Sequence, residues 1–137
     1  MSRAERKGGI SPVDIWIPRR APNLNDLFRA KATLYGKRGA NGYAALKRDW
    51  AETVMLYTLK RRTPIGRCSV HFEIIEPDQR RDPDNIAAGA AKLILDGLVK
   101  VGVLEGDGWA HIAGLSFSWR VGKPAGVMVT LTSAGDA

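Results

Sequence analysis

The spacing of hydrophobic positions changes repeatedly along this chain, and each change predicts an element. Val13, Ile15 and Ile17 alternate with Asp14 and Trp16, the period of a strand, and Pro18 ends it. Residues 1–12 are rich in Arg, Lys and Gly and show no hydrophobic period, so they read as a flexible basic arm ahead of a single domain over 13–137. Residues 19–42 carry Pro22, Asn23, Asn25, Gly36, Gly39, Asn41 and Gly42 among six Lys or Arg residues, which predicts a long basic loop with one helical turn near Leu27 and Phe28. From Tyr43 to Arg62 the period becomes helical. Leu46, Trp50, Val54 and Tyr57 make one apolar stripe, Lys47, Arg48, Glu52 and Lys60 lie off it, and Pro64 follows. An aromatic stripe at helical spacing belongs to a core, so Trp50 and Tyr57 are assigned there and not to base stacking.

Alternation returns at Cys68, Val70, Phe72 and Ile74, a second strand that runs out at Glu76 and Pro77. Residues 85–99 are expected to be helical, with Ile86, Ala90, Leu93, Ile94 and Leu98 on the buried face and Asp84 at the N-cap. A Gly-punctuated connection follows at 101–108. Leu115, Phe117, Trp119 and Val121 then alternate with polar residues, as do Val127, Val129 and Leu131, and the turn at 122–126 between the two runs predicts a hairpin. The expected fold is α+β: a small mixed sheet of about four strands against two helices, with no internal repeat.

Composition narrows the classes. A hydrophobic fraction of 45% beside 26% charged residues is that of a globular protein. Cys68 is the lone cysteine, so neither an intrachain disulfide nor a Cys-rich zinc site can form, which fits a reducing compartment. No apolar run approaches the ~20 residues that span a bilayer, and no apolar stretch follows the basic N-terminus as in a signal peptide, so the expected location is the cytoplasm. The net charge of +7 is unevenly placed: residues 1–62 hold 14 basic and 5 acidic residues, residues 63–137 hold 7 and 9. A basic half beside an acidic half suits a surface that holds a polyanion next to a site that holds a divalent cation, and nucleic acid is the first partner to consider.

The densest chemistry lies in Arg80-Arg81-Asp82-Pro83-Asp84-Asn85. Residues two apart in an extended segment point the same way, and Pro83 holds Asp82 out of the helical region, so both carboxylates are able to converge on one cation. Mg²⁺ suits such a pair, since it takes a few hard oxygens, keeps several waters and completes its shell with substrate phosphate. Glu105 and Asp107 are the nearest further acids, and Asp107 is preferred because Gly106 and Gly108 permit close approach. The same residues also describe an ordinary N-cap and an Asp-Pro turn. An EF-hand is excluded by Pro83 where its loop needs Gly, and the glycines at 36–42 lack the ending of a phosphate-binding P-loop. His71 and His111 stand apart and read as strand or loop residues.

The run Arg80-Arg81-Asp82-Pro83-Asp84-Asn85-Ile86, an Ala-rich helix ending Leu95-Asp96-Gly97-Leu98, and Gly102-Val103-Leu104-Glu105-Gly106-Asp107 together resemble the core of the RusA-like Holliday junction resolvases. The strong match covers about 74–112, and Pro22-Asn23-Leu24-Asn25 is weakly similar to a stretch after the family's first strand. The resemblance implies a small dimeric, Mg²⁺-dependent endodeoxyribonuclease of bacteria and their phages. Its catalytic and metal-holding aspartates correspond to Asp82, Asp84 and Asp107, and Asp96 matches an accompanying acidic helix position. Two positions depart from the pattern: Ala88 stands where the family usually has Lys, and Gly106 where it often has a second acid. Lys92, one turn beyond Ala88, is the substitute expected, although it is also placed to pair with Asp96.

The function expected is metal-assisted hydrolysis of a phosphodiester in branched DNA, with Mg²⁺ or alternatively Mn²⁺ held by Asp82, Asp84 and Asp107, and Lys92 or Arg81 offsetting charge on the phosphate. Arg19, Arg20, Arg29, Lys31, Lys37, Arg38 and Arg81 are the DNA-binding candidates, acting on phosphates of a four-way junction. A twofold homodimer would give each of two symmetry-related strands an active site, its contact carried by the hairpin or the first helix. The competing expectations are a non-catalytic DNA-structure-binding protein of prophage origin and, ranked below it, a metal-dependent transferase using the Asp-x-Asp pair.

Overall fold

The structure is a computed structural model that describes residues 12–32, 39–61 and 63–135. The expected N-terminal arm lies, but for its last residue, outside the described residues. Four strands, β1 (Val13–Ile17), β2 (Cys68–Glu76), β3 (Ile112–Val121) and β4 (Gly126–Ser133), and three helices, α1 (Leu24–Ala32), α2 (Gly39–Leu56) and α3 (Pro83–Lys100), make a small α+β fold.

The sheet runs β1-β4-β2-β3. β4 is antiparallel to both β1 and β2, whereas β2 and β3 are parallel and joined through α3. The expected β3–β4 hairpin is therefore absent. Residues 122–125 cross the end of β2, where the Gly122 N–H donates to the Glu76 carbonyl at 2.9 Å, and β4 returns along the other side of β2. Alternation identifies a strand and its inward face, but not which neighbour takes its hydrogen bonds.

Each strand turns the same phase of its alternation inward. Ile15 and Ile17, Val127, Val129 and Leu131, and Cys68, Val70, Phe72 and Ile74 are buried, and Phe117 of the edge strand β3 stacks on Phe72 with ring centroids 5.3 Å apart. Burial pushes the Cys68 thiol above its ordinary pKa by desolvation, which favours the neutral thiol. α3 closes this face with Ile86, Ala90, Leu93, Ile94 and Leu98, and α2 adds Trp50 and Val54. Two glycines let α3 come close. A Cβ on Gly89 would fall on the Pro22 carbonyl and within 2.9 Å of Asn23 Cα, and one on Gly97 would meet the Val54 side chain at 2.9 Å.

The helices depart from expectation at their ends. Helix α1, 9 residues long, and the start of α2 replace parts of the expected basic loop. Asn23 starts it with a reciprocal cap in which the Asp26 N–H donates to Asn23 Oδ1 at 2.8 Å and the Asn23 N–H donates to Asp26 Oδ2 at 3.2 Å. α2 begins at Gly39 and ends at Leu56, short of Arg62, so Tyr57 lies beyond the helix and is exposed, although Trp50 is core as expected. The N-cap of α3 is Asp82, not Asp84: Asp82 is extended (φ −68°, ψ 135°), as a residue before proline should be, Pro83 takes the first helical position and Asp84 falls in the first turn.

Candidate functional site

The N-terminus of α3 follows from its residues. Pro83 needs no N–H donor and brings a preset φ, and the Asp82 carbonyl accepts from the Asn85 and Ile86 N–H groups. The Asp82 carboxylate does not cap the helix; it makes no side-chain hydrogen bond there and is exposed. Asp84 is exposed in the first turn, where the helix dipole favours a negative charge. Two carboxylates thus stand uncommitted at the exit of β2.

Asp107 lies in the connection from α3 to β3. That loop is braced by the Ile65 N–H donating to the Val103 carbonyl at 2.9 Å and by the His111 and Ile112 N–H groups donating to the Gly108 carbonyl at 3.0 and 2.9 Å. Its Asp107 side chain closes a cavity of about 100 Å³ with Tyr43 and Lys47 of α2 and Ala91, Lys92, Leu93 and Asp96 of α3. Asp96 lines the cavity, and its Oδ2 is buried without a hydrogen-bond partner. The structure therefore sets Asp107 with Lys92 and Asp96 rather than with Asp82 and Asp84. At 1.5 Å of rise per residue, Asp96 stands roughly 18 Å along the helix axis from Asp84. Among the described residues no group of three His, Cys, Asp or Glu side chains is close enough to hold a metal ion. The expected Lys92–Asp96 ion pair is not formed among the described residues.

The carboxylates sort into two sets. Asp14 accepts from Thr130, Asp26 from Arg29, Asp49 from Arg19, Glu73 from Arg120, Glu76 from Arg20 and Arg81, and Asp78 from the Arg80 N–H. Among the described residues Glu105 has only His111, at 4.0 Å. Asp82, Asp84, Asp96 and Asp107 have no partner among the described residues, and outside α3 and its flanking loops only Glu52 shares that condition. A Cβ on Gly106 would fall 2.5 Å from the His111 Cδ2, so a larger residue at this position requires the His111 ring to shift.

The arginines expected on DNA have internal work. Arg19 donates to Thr53 Oγ1 at 2.7 Å and to Asp49 Oδ2 at 2.8 Å, and its guanidinium lies 3.9 Å from the Trp50 ring centroid. Arg20 and Arg81 both grip Glu76, at 2.5 and 3.1 Å, and Arg81 also donates to the Ala21 carbonyl. The hydrogen bond that Arg20 donates to Glu76 holds the Arg20 pKa above its ordinary value, opposed by the smaller effect of burial. Arg29 is the most exposed of the four and pairs with Asp26 at 2.7 Å. Lys37 and Arg38 lie outside the described residues, as does the side chain of Lys31.

Sequence reasoning passed over three features. Tyr43 and Lys47 reach the Asp107 cavity from α2, which only tertiary packing reveals. Trp109, two residues past Asp107 in a Gly-flanked loop, is 97% exposed. Glu76 is 5% exposed, and a signal for it was present: it falls in phase with Phe72 and Ile74 on the inward face of β2. Compared with known proteins, the chain matches no family model and no curated protein.

Proposed function

We propose that this chain is a Mg²⁺-dependent endodeoxyribonuclease that cuts branched DNA, of the type that resolves four-way junctions, in the cytoplasm of a bacterial or phage-infected cell. The observation that carries the reading is the set of uncommitted carboxylates: Asp82, Asp84, Asp96 and Asp107, all on α3 or its flanking loops, lack partners among the described residues while most other described acids are paired. Unpaired hard oxygens are the donors Mg²⁺ takes, and it needs only one or two carboxylates beside water and phosphate. Asp82 and Asp84 would hold one ion at the start of α3, and Asp107, set apart from them with Asp96, would hold a second. Bound Mg²⁺, or Mn²⁺ in its place, supplies polarisation of the phosphoryl oxygen and an acidified water, so no protein nucleophile is required.

The chain's own residues do the rest. Lys92 puts a positive charge in the Asp107 cavity, where charge building on a phosphate is stabilised, a task Ala88 cannot perform. Arg29 reaches phosphates from α1, while Arg19, Arg20 and Arg81 first fix the loop that joins β1 to α1. A twofold dimer supplies one site to each of two strands of a junction.

The test is nicking of a synthetic four-way junction. Asp82→Asn and Asp107→Asn are each expected to abolish Mg²⁺-dependent nicking while leaving junction binding within a few-fold of wild type. Cleavage that persists in both variants would remove the assignment. One observation favours a second reading, a DNA-structure-binding protein that does not cut: no three donors are gathered for a metal among the described residues. It predicts junction binding by the wild type with no nicked product in either Mg²⁺ or Mn²⁺, so the same gel separates the two.

A further inference from the structure

The cavity that Asp107 closes has a second wall, contributed by α2. Tyr43 and Lys47 face Lys92 and Asp96 across it. At about 100 Å³ it is well below the ~300 Å³ at which drug-sized ligand pockets begin, so it suits a small charged group and not a base.

Its charges are arranged unusually. Two ammonium groups and two carboxylates line one small space, yet among the described residues no ion pair within 4 Å joins them. Lys47 instead holds its Nζ 5.5 Å from the Tyr43 ring centroid. The Oδ2 of Asp96 is shut off from solvent without a hydrogen-bond partner, so it neutralises neither lysine. A phosphate held by the two lysines, carrying a cation that meets the exposed Asp107 carboxylate, matches such a lining.

We infer that Lys47 is a phosphate-binding residue, which grips the backbone of the DNA strand next to Asp107, and that the strand therefore runs along the groove between α2 and α3. The inference deepens the proposed function and rests on it for the identity of the polyanion. Arg19, which meets α2 on another face, is locked on Asp49 and Thr53, whereas Lys47 has no carboxylate partner among the described residues.

The experiment is equilibrium binding of the full chain to a labelled four-way junction in EDTA, repeated over a range of salt concentrations. One lost phosphate contact lowers the slope of log affinity against log salt by about 0.9. Lys47→Gln is expected to show that decrement and to raise KM for nicking when Mg²⁺ is restored, while Lys47→Arg keeps the wild-type slope. A purely structural lysine would change stability without moving the slope. If folded Lys47→Gln, checked by circular dichroism, keeps the full slope, the assignment of Lys47 is overturned even where the wild type nicks DNA. Should the wild type bind but not nick, the nuclease reading goes, and a decrement in Lys47→Gln still supports the phosphate contact. Absence of junction binding by the wild type overturns both.

Discussion

Glu76 shows how a single residue organises the approach to the site. It occupies an inward position of β2 at 5% exposure, where an ionised carboxylate without partners would be strongly disfavoured. Arg20 and Arg81 answer it from two directions, and Arg81 adds a bond to the Ala21 carbonyl. The result ties the exit of β1, the end of β2 and the entry to α3, so the residue before Asp82 is anchored while Asp82 stays free. The arginines are unequal: the Arg20 side chain is 47% exposed, Arg81 only 19%. Replacing the acid leaves two guanidinium groups unpaired, but the more exposed one is resolvated, so the loss falls below that of a fully buried pair. Glu76→Gln is expected to destabilise the fold by about 2–3 kcal/mol, read as a lower urea midpoint at unchanged m. A variant within experimental error of wild type would show that the triad adds nothing to stability.

At the level of elements, the decisive contact is between α3 and the segment leading into α1. Gly89 sits on the buried face of α3, and glycine inside a helix ordinarily costs ~1 kcal/mol relative to alanine. Here the missing side chain admits the Pro22–Asn23 backbone, with Asn23 capping α1 immediately beyond. Gly89→Ala must move that backbone, which is stiff, and is expected to destabilise by about 2 kcal/mol despite the better helix propensity, checked by thermal or urea unfolding. Greater stability in that variant would mean that the contact yields easily. The same junction explains what was legible in the sequence. Strands, α3 and the acidic block were readable because alternation, helical period and Asp-Pro-Asp are local signals. Helix α1 was not: Asn23 was counted among loop residues, although Asn followed three positions later by Asp26 is a helix start. Strand pairing was not readable either, because the short turn at 122–125 spans the end of β2 as easily as it closes a hairpin. Of the candidate site, the acids were visible as a motif, but the placing of Asp107 and Asp96 in one cavity and the contribution of Lys47 depend on how α2 packs on α3.

For the whole molecule, the open question is what covers the edge of the sheet. β1 and β3 are its two edges; β1 spans 5 residues and meets Pro18, whereas β3 spans 10. Leu115, Trp119 and Val121 fall on the same side of β3 as Phe117, yet all three are exposed. A long edge strand with apolar side chains invites another strand, and natural edges are usually short, charged or covered. Within the proposed junction-cutting function a second copy is the natural occupant, since two β3 strands related by a twofold axis pair antiparallel and bury the same side chains on both copies. Of the two contacts expected, hairpin or first helix, the hairpin does not form, and its strand β3 still offers the exposed surface. Sedimentation of the wild type at micromolar concentration is expected to show a dimer. Trp119→Lys, at a position already exposed and therefore tolerant of charge, is expected to give a folded monomer that binds junctions more weakly and no longer nicks paired strands together. A wild type that sediments as a monomer, or a Trp119→Lys variant that remains dimeric, would move the interface away from β3.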